Sequence, residues 1–509
     1  MYDSNYLAHR LRAASCGRDD ALFADMPDGS RVSYGNLWAG AERMAAALAG
    51  LGLEAGDRVA VQAEKSLEAL QLYLGTVLAG GVFLPLNTAY TPAEVGYFLS
   101  DARPRVFVCD PARHEALSPV VEEADVAHHL GLDADGRGSL RDKMEAQSTG
   151  FAAVARAADD LAAILYTSGT TGRSKGAMLS HDNLASNSLT LIEAWRFSAE
   201  DVLIHALPIY HTHGLFVATN VTLLAGSALI FMPKFDADAI AAALPRATVL
   251  MGVPTFYVRL LDHPGLTREA VAGMRLFVSG SAPLLAQTHD AWRERTGHAI
   301  LERYGMTETN MNTSNPYEGD RRAGTVGFPL PGVEVKITDP ESGAALPQGE
   351  TGMIEVRGPN VFKGYWQMPE KTAEELRADG FFITGDLGTI DADGYIAIVG
   401  RGKDLIISGG FNVYPKEIEG LIDDLDGVAE SAVIGLPHPD FGESVAAVVV
   451  PEAGADLSAE TIQDALADRL ARFKQPRAVM LVEELPRNTM GKVQKNVLRE
   501  RYEKTFETP

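Results

Sequence analysis

Eleven consecutive residues constrain this chain more than any other stretch: Tyr166-Thr167-Ser168-Gly169-Thr170-Thr171-Gly172-Arg173-Ser174-Lys175-Gly176. They follow a short apolar run, Leu161-Ala162-Ala163-Ile164-Leu165, whose length suits a buried strand. The run itself is small, hydroxylated and glycine-rich, and it carries one lysine. Such a loop turns several backbone N–H groups and hydroxyls toward one point, and the lysine adds a positive charge. A polyphosphate is the natural occupant. The loop is not the P-loop of kinases and GTPases, which requires G-x-x-x-x-G-K followed by Ser or Thr. Here the glycines are Gly169 and Gly172, and Lys175 is followed by Gly176, so no adjacent hydroxyl is present to hold a metal ion.

The chain has 509 residues, of which 46% are hydrophobic and 22% charged, an ordinary globular balance with room for several cores. Its formal net charge of -23 argues against nucleic acid and against an anionic membrane surface as partners. An acidic chain that binds a polyphosphate must gather its cations locally, so single lysines and arginines beside glycine turns carry information. The two cysteines, Cys16 and Cys109, make no disulfide framework and sit in no motif. No apolar stretch reaches the length of a membrane span, the first twenty residues lack a leader's apolar core, and the last five carry no targeting address. A cytoplasmic location is the expectation.

Elements alternate along the first third. Ser33 caps a helix with Leu37, Ala41, Met44 and Leu48 on one face, and Arg58 to Ala63 reads as a strand. A second helix carries Leu67, Leu70, Leu74 and Val77, followed by strands at Val82 to Leu86 and Val106 to Cys109. Further strands are expected at Asp201 to Leu207, Thr248 to Val253 and Arg275 to Ser279. Strands separated by helices imply an α/β fold with parallel sheets covered on both faces. From Gly332 the period shortens, giving a β-rich subdomain at Val333 to Thr338, Gly352 to Gly358 and Gly394 to Gly400. Gly400-Arg401-Gly402-Lys403-Asp404 is a polar junction before an α+β block of about 100 residues, the size of a small domain. The expected division is therefore 1–400 and 401–509.

Four more fragments recur with the glycine-rich loop in a fixed order. They are Tyr304-Gly305-Met306-Thr307-Glu308 after the Gly280-Ser281 turn, Thr384-Gly385-Asp386, Arg401, and Gly491-Lys492. Each alone is weak. Together, over about residues 30 to 500, the chain resembles the acyl-adenylate-forming superfamily of acyl-CoA synthetases, luciferases and peptide-synthetase adenylation domains. The resemblance implies ATP, Mg²⁺ and coenzyme A as participants. It implies that Thr167, Ser168, Gly169, Thr170, Thr171, Gly172 and Lys175 hold the β- and γ-phosphates and that Thr307 touches the α-phosphate. Glu308 is then a ligand of Mg²⁺, Asp386 accepts from the ribose with Arg401 nearby, and Tyr304 and Gly280 line the adenine. Lys492 is the adenylation lysine, Lys403 stands at the hinge of a mobile C-terminal domain, and Gly409 and Gly410 lie beside the coenzyme A arm.

The acid is read from Glu302-Arg303-Tyr304 and from Pro208-Ile209-Tyr210-His211-Thr212-His213-Gly214. A guanidinium next to the pocket residue Tyr304 suits a second carboxylate, held bidentately. An internal pair of Arg303 with Glu302 or another acid is the alternative. His211 gates the acyl pocket or donates to a carboxylate, while His213 is read as a packed histidine, and no third ligand near them supports a metal site. Thr212 and Met306 bound the space near the substrate α-carbon. These strings, with Ser180 to Asn183 and Asn310 to Thr313, resemble the malonyl-CoA synthetases. That resemblance implies malonate, with methylmalonate left open, its far carboxylate on Arg303 and Ser281. A synthetase for another short acid, a stand-alone adenylation module and a non-catalytic nucleotide sensor remain alternatives at this point.

Overall fold

A computed structural model describes residues 2–167, 174–408, 411–438, 441–467, 469–470, 472–488 and 491–506. The loop residues Ser168, Gly169, Thr170, Thr171 and Gly172, and also Gly409 and Gly410, lie outside the described residues. The chain forms two large α/β sheets, a four-stranded antiparallel sheet and a C-terminal α+β block.

The first large sheet has six strands in the order His128–Gly131, Val106–Cys109, Arg58–Gln62, Val82–Pro85, Leu161–Thr167, Lys175–Ser180. Two helices cover one face, Tyr34–Gly50 and Leu67–Leu78. Each starts on a serine, Ser33 and Ser66, whose hydroxyl accepts a backbone N–H three residues on at 3.2 Å. The helices approach closely because residue 75 is glycine: a Cβ there would stand 2.9 Å from the Ala41 carbonyl oxygen. The run from Leu161 is a strand, as its apolar pattern requires. After the loop the chain returns antiparallel, with Thr167 opposite Lys175 and Tyr166 opposite Gly176. The phosphate-type loop is thus held between two paired strands, not between a strand and a helix.

The second large sheet has nine strands, in the order Phe328–Pro329, Asn310–Ser314, Leu301–Met306, Leu276–Ser279, Val249–Gly252, Val202–His205, Ala228–Phe231, Leu22–Asp25, Arg31–Ser33. Its central strands are parallel and its edges antiparallel. The expectation of purely parallel sheets therefore needs correcting at three edges. Lys175–Ser180, Asn310–Ser314 and Arg31–Ser33 each follow their neighbour through a connection too short for a crossover, which leaves only an antiparallel pair, and Phe328–Pro329 returns antiparallel after a longer loop. The C-terminal ends of Val202–His205, Leu276–Ser279 and Leu301–Met306 lead into the histidine segment, the Gly280 turn and Thr307 respectively. That is the edge at which open α/β sheets bind ligands.

The Ser180–Asn183 motif is structural. Ser180 and Asn183 form a reciprocal cap on helix His181–Trp195, and the Asn183 amide donates to the Pro359 and Val361 carbonyls at 2.7 and 2.9 Å. Asn187, one turn on, exchanges two hydrogen bonds with the backbone of Met311. Buried amides thus tie the two large sheets to the antiparallel sheet Glu334–Thr338, Gly352–Arg357, Phe382–Ile390, Ile396–Arg401. Beyond it, Val428–His438 and Gly442–Pro451 pair over their whole length. With helices Pro415–Asp423 and Ala459–Ala467 they enclose a separate apolar core of Ile406, Val413, Ile418, Val433, Ile462 and Leu466. Among the described residues no helix is long and apolar enough to cross a membrane.

One ion pair anchors the opposite, N-terminal ends of three parallel strands. Arg275 clamps Asp201 through two contacts of 2.7 Å, and the Thr248 hydroxyl donates to the same carboxylate. Burial alone would raise the Asp201 pKa, but Arg275 and the hydrogen bonds outweigh it and hold it below the usual carboxylate value. Its stabilising contribution is therefore present at neutral pH and is lost as pH falls through the depressed value. Asp201→Ala strands the guanidinium, and should cost about 3 kcal/mol in urea unfolding at pH 7. The difference from wild type should shrink in acid.

Candidate active site

Tyr304 ends the parallel part of the nine-stranded sheet, and its hydroxyl donates to Asp386 Oδ2 at 2.5 Å. Asp386 belongs to the antiparallel sheet, where it lies directly opposite Arg401 and pairs with that residue's Nε at 3.0 Å. Burial raises the Tyr304 phenol well above its ordinary value, and Asp386 reinforces the effect. Asp386 in turn keeps the Arg401 guanidinium firmly charged. Gly305 has to be glycine: a Cβ there would lie 1.9 Å from the Asn310 carbonyl oxygen across the hairpin. Thr307 occupies the turn of that hairpin, half-buried, and Glu308 follows it, buried.

Glu308 belongs to a chain of polar groups that reaches the phosphate-type loop. The Tyr365 hydroxyl lies 3.0 Å from Glu308 Oε1 and 2.6 Å from Glu375 Oε2. Lys175 pairs with both oxygens of Glu375 at 3.1 Å and sits 4.1 Å over the Tyr365 ring. Burial raises the Glu308 pKa, and the nearby Glu375 charge adds to this, while Tyr365 and Lys175 oppose it. Thr167 closes the strand pair beside Lys175. Sequence reading missed Tyr365 and Glu375. Neither stands in a motif, and both reach Lys175 only through folding across roughly 190–200 residues of chain. Two carboxylates converging on one phenol beside a lysine form a hard-oxygen set that fits Mg²⁺ shared with phosphates.

The next group around Tyr304 is different in character. Arg303 is 3% exposed, and its Nε and Nη2 have no hydrogen-bond partner. Burial pulls its pKa down to about 9, with Tyr257 and Glu302 opposing. Glu302, the neighbour in the same strand, points to the other face. It accepts the Leu284 N–H at 3.1 Å, and burial pushes its carboxyl up to about 8. Among the described residues no ion pair joins Arg303 to Glu302 or to any other acid, so the alternative of an internal pair is not what the structure shows. A Cβ at Gly280 would strike the guanidinium at 2.4 Å, so only glycine leaves room for Arg303 there. Ser281 adopts φ 72°, a backbone region that serine rarely visits, and its hydroxyl meets His213 Nδ1 at 3.3 Å.

Two histidines and a threonine complete this pocket. Burial, then the charges of Arg303 and His205, pulls the His213 pKa well down, so its ring is neutral. His213 is more than packing: it contacts Ser281, and its Nε2 is buried without a partner. His211 Nε2 and Thr212 Oγ1 are buried and unpartnered as well. The His211 pKa falls to about 4, through burial first and Lys492 second. Met306 lies alongside, its sulfur 3.9 Å from the Tyr304 hydroxyl. Among the described residues no third His, Cys, Asp or Glu side chain gathers with this histidine pair.

Lys492 comes from the C-terminal block. Asn488 holds its backbone in a tight turn, accepting the Lys492 N–H at 3.0 Å and donating to its carbonyl at 2.9 Å. Gly491 takes φ 76° in that turn, a left-handed conformation suited to glycine. The side chain is open to solvent in the cleft, yet enough protein surrounds it for desolvation to lower the ammonium pKa. Arg401 and Arg303 lower it further, and Asp386 and Glu308 oppose them. The C-terminal block also touches the large one through Gln287 Nε2, which donates to the Asp423 carbonyl at 2.6 Å. Lys403 sits in a one-turn helix, Gly402–Asp404, whose Asp404 pairs with Arg499 at 2.9 Å.

Comparison with known proteins follows this geometry. Residues 10–366 match the AMP-binding enzyme family, and residues 417–492 match the AMP-binding enzyme C-terminal domain. The chain is 35% identical to a malonate–CoA ligase of Arabidopsis thaliana over 96% of its own length and 87% of the relative's. It is 61% identical to ATP-bound MatB from Rhodopseudomonas palustris, with a TM-score of 0.96 over 98% of this chain and 100% of that one. Against the apo MatB structure the TM-score is 0.86, at the same identity, over 99% of this chain and 100% of that one. The chain belongs to the AMP-binding enzyme family.

Proposed function

We propose that this chain joins malonate to coenzyme A in two steps, cleaving ATP to AMP and pyrophosphate. A malonate carboxylate oxygen attacks the α-phosphorus, and the bond to pyrophosphate breaks. The coenzyme A sulfur then attacks the acyl carbon of malonyl-AMP, and the bond to AMP breaks. The observation that carries the choice of acid is Arg303, a buried guanidinium with two unpaired N–H groups at the site. Leaving such donors unpaired is costly, so a monoacid with only a methyl to offer is selected against. The malonate-type relatives and the resemblance to an ATP-bound neighbour support the same reading.

Residue roles follow from position. Arg303, Ser281 and the neutral His213, with Nδ1 accepting from Ser281 and Nε2–H free to donate, hold the far carboxylate. Thr212 and Met306 bound the α-carbon, where a methyl group decides between malonate and methylmalonate. His211 gates the near carboxylate. Asp386 takes the ribose hydroxyls from its bond with Tyr304, and Arg401 keeps the carboxylate in place. Gly280 and Tyr304 line the base. Lys175, with Thr167 and the loop residues Ser168 to Gly172, takes the β- and γ-phosphates, exchanging Glu375 for phosphate. Thr307 contacts the α-phosphate, and Glu308 with Glu375 would hold Mg²⁺, which when bound screens the phosphate charge.

Lys492 stands where the carboxylate and α-phosphate meet, and its ammonium stabilises charge that collects there only during transfer. The similarity to the ATP-bound neighbour supports this placement. The expected division at 401 is retained as part of the proposal: residues 1–400 bind both acids, and 401–509 deliver Lys492. Turning about Lys403, the second unit then brings Gly409 and Gly410 to the coenzyme A arm. A cytoplasmic site of action is retained on the same terms.

Arg303→Ala should lower kcat/KM for malonate by about 10³-fold or more while ATP affinity is kept. A panel of malonate, methylmalonate, succinate and acetate, followed by pyrophosphate release, reads this directly. Unchanged malonate kinetics would refute the assignment. Lys492→Ala should abolish malonate-dependent pyrophosphate release yet still convert pre-made malonyl-AMP and coenzyme A to thioester. Equal loss of both half-reactions would overturn the division of labour between the two units.

A further inference from the structure

Lys65 has no obvious reason to be where it is. It is 5% exposed, and no ion pair to it exists among the described residues. It also directly precedes Ser66, the cap of helix Leu67–Leu78, where the helix dipole disfavours a cation. Its burial is explained by three acceptors. Nζ lies 2.8 Å from His205 Nδ1, 2.7 Å from the His205 carbonyl oxygen and 2.8 Å from the Met232 carbonyl oxygen, with the Phe231 ring at 4.7 Å. Burial pulls the Lys65 pKa well down, and three acceptors matching the three hydrogens of an ammonium are what hold the charged form there. Lys65 leaves the six-stranded sheet just after Arg58–Gln62, and His205 ends a strand of the nine-stranded sheet. The contact therefore joins the two large sheets at their ligand-binding edges.

The hydrogen-bond pattern sets the state of His205. Its Nδ1 accepts from Lys65, so its Nε2 carries the proton. The partners of Nε2 agree: the Gly214 carbonyl at 3.0 Å can only accept, and Thr219 Oγ1 at 3.1 Å itself donates to that carbonyl at 2.9 Å. The backbone at Gly214 packs so close that a Cβ there would lie 2.0 Å from the Pro208 carbonyl oxygen. It belongs to His213–Thr219, a π-wound turn of a kind that is rare and often found at functional sites. The residue before Gly214 is His213, which meets Ser281.

We propose that Lys65 and His205 are positioning residues for the acid pocket: Lys65 fixes the His205 ring, the ring's Nε2–H holds the Gly214 carbonyl, and that carbonyl sets His213 against Ser281 beside Arg303. The proposal rests on the assignment of Arg303, Ser281 and His213 to the far carboxylate. Neither Lys65 nor His205 touches substrate. Their effect is on the choice of acid, not on nucleotide binding or phosphoryl chemistry.

Two substitutions at one position separate positioning from bulk stability. In His205→Gln the amide nitrogen reaches the place of Nε2 and keeps the donor to Gly214. In His205→Asn the side-chain oxygen takes the place of Nδ1, keeps Lys65 satisfied and loses Gly214. His205→Asn should raise KM for malonate about tenfold or more, while propionate kcat/KM and ATP KM stay within about threefold of wild type. His205→Gln should restore malonate KM to within about threefold, and Lys65→Met, which frees the ring, should behave like His205→Asn. Equal losses for both His205 variants on malonate and propionate, in parallel with their thermal midpoints, would overturn the proposal and leave a purely structural strut. Wild-type enzyme that does not prefer malonate to propionate would instead overturn the pocket assignment beneath it.

Discussion

The carboxylate of Asp386 ties the site together. It accepts from Tyr304, at the end of a strand in the nine-stranded sheet, and pairs with Arg401, across a strand pair of the antiparallel sheet. Its charge also reaches Lys492 in the C-terminal block and opposes the loss of that proton. Three parts of the molecule with separate hydrogen-bonding patterns thus converge on one buried anion. Without it, Tyr304 and Arg401 would have no common reference, and the lysine would enter a cleft already occupied by two uncompensated guanidinium groups.

The net charge of -23 makes this arrangement necessary. Long-range attraction does not bring polyanions to such a protein, so the cations that meet them work at short range, where desolvation strengthens each contact. Each pays differently for that position. Lys175 is paired with Glu375, which in the proposed reaction gives way to phosphate. Arg303 has no counter-ion among the described residues and keeps two donors open, which the proposed acid would satisfy. Lys65, which meets no ligand in the proposal, is satisfied by neutral acceptors alone.

Residue order alone supplied most of the candidate site that the proposal uses. The glycine-rich loop, the Tyr304–Glu308 fragment, Asp386, Arg401 and Lys492 are local strings whose chemistry can be named without coordinates. The strands that carry them were legible from apolar runs. The antiparallel edges were not, because pairing direction depends on connection geometry and not on the composition of the strand. His213 is packed, as its position suggests, and the contact with Ser281 is a tertiary detail that spacing along the chain does not show.

By itself the sequence determined the α/β class, the order of the glycine-rich and acidic strings and the presence of a guanidinium next to Tyr304, because each depends on residues that are neighbours in the chain. Folding alone decided that Arg303 is unpaired while Glu302 faces away, that Glu375 and Tyr365 meet Lys175, and that Lys65 reaches His205 across 140 residues. These facts depend on which side chains share a dry volume. That is set by how the sheets stack and where their edges meet, and it leaves no mark on spacing along the chain.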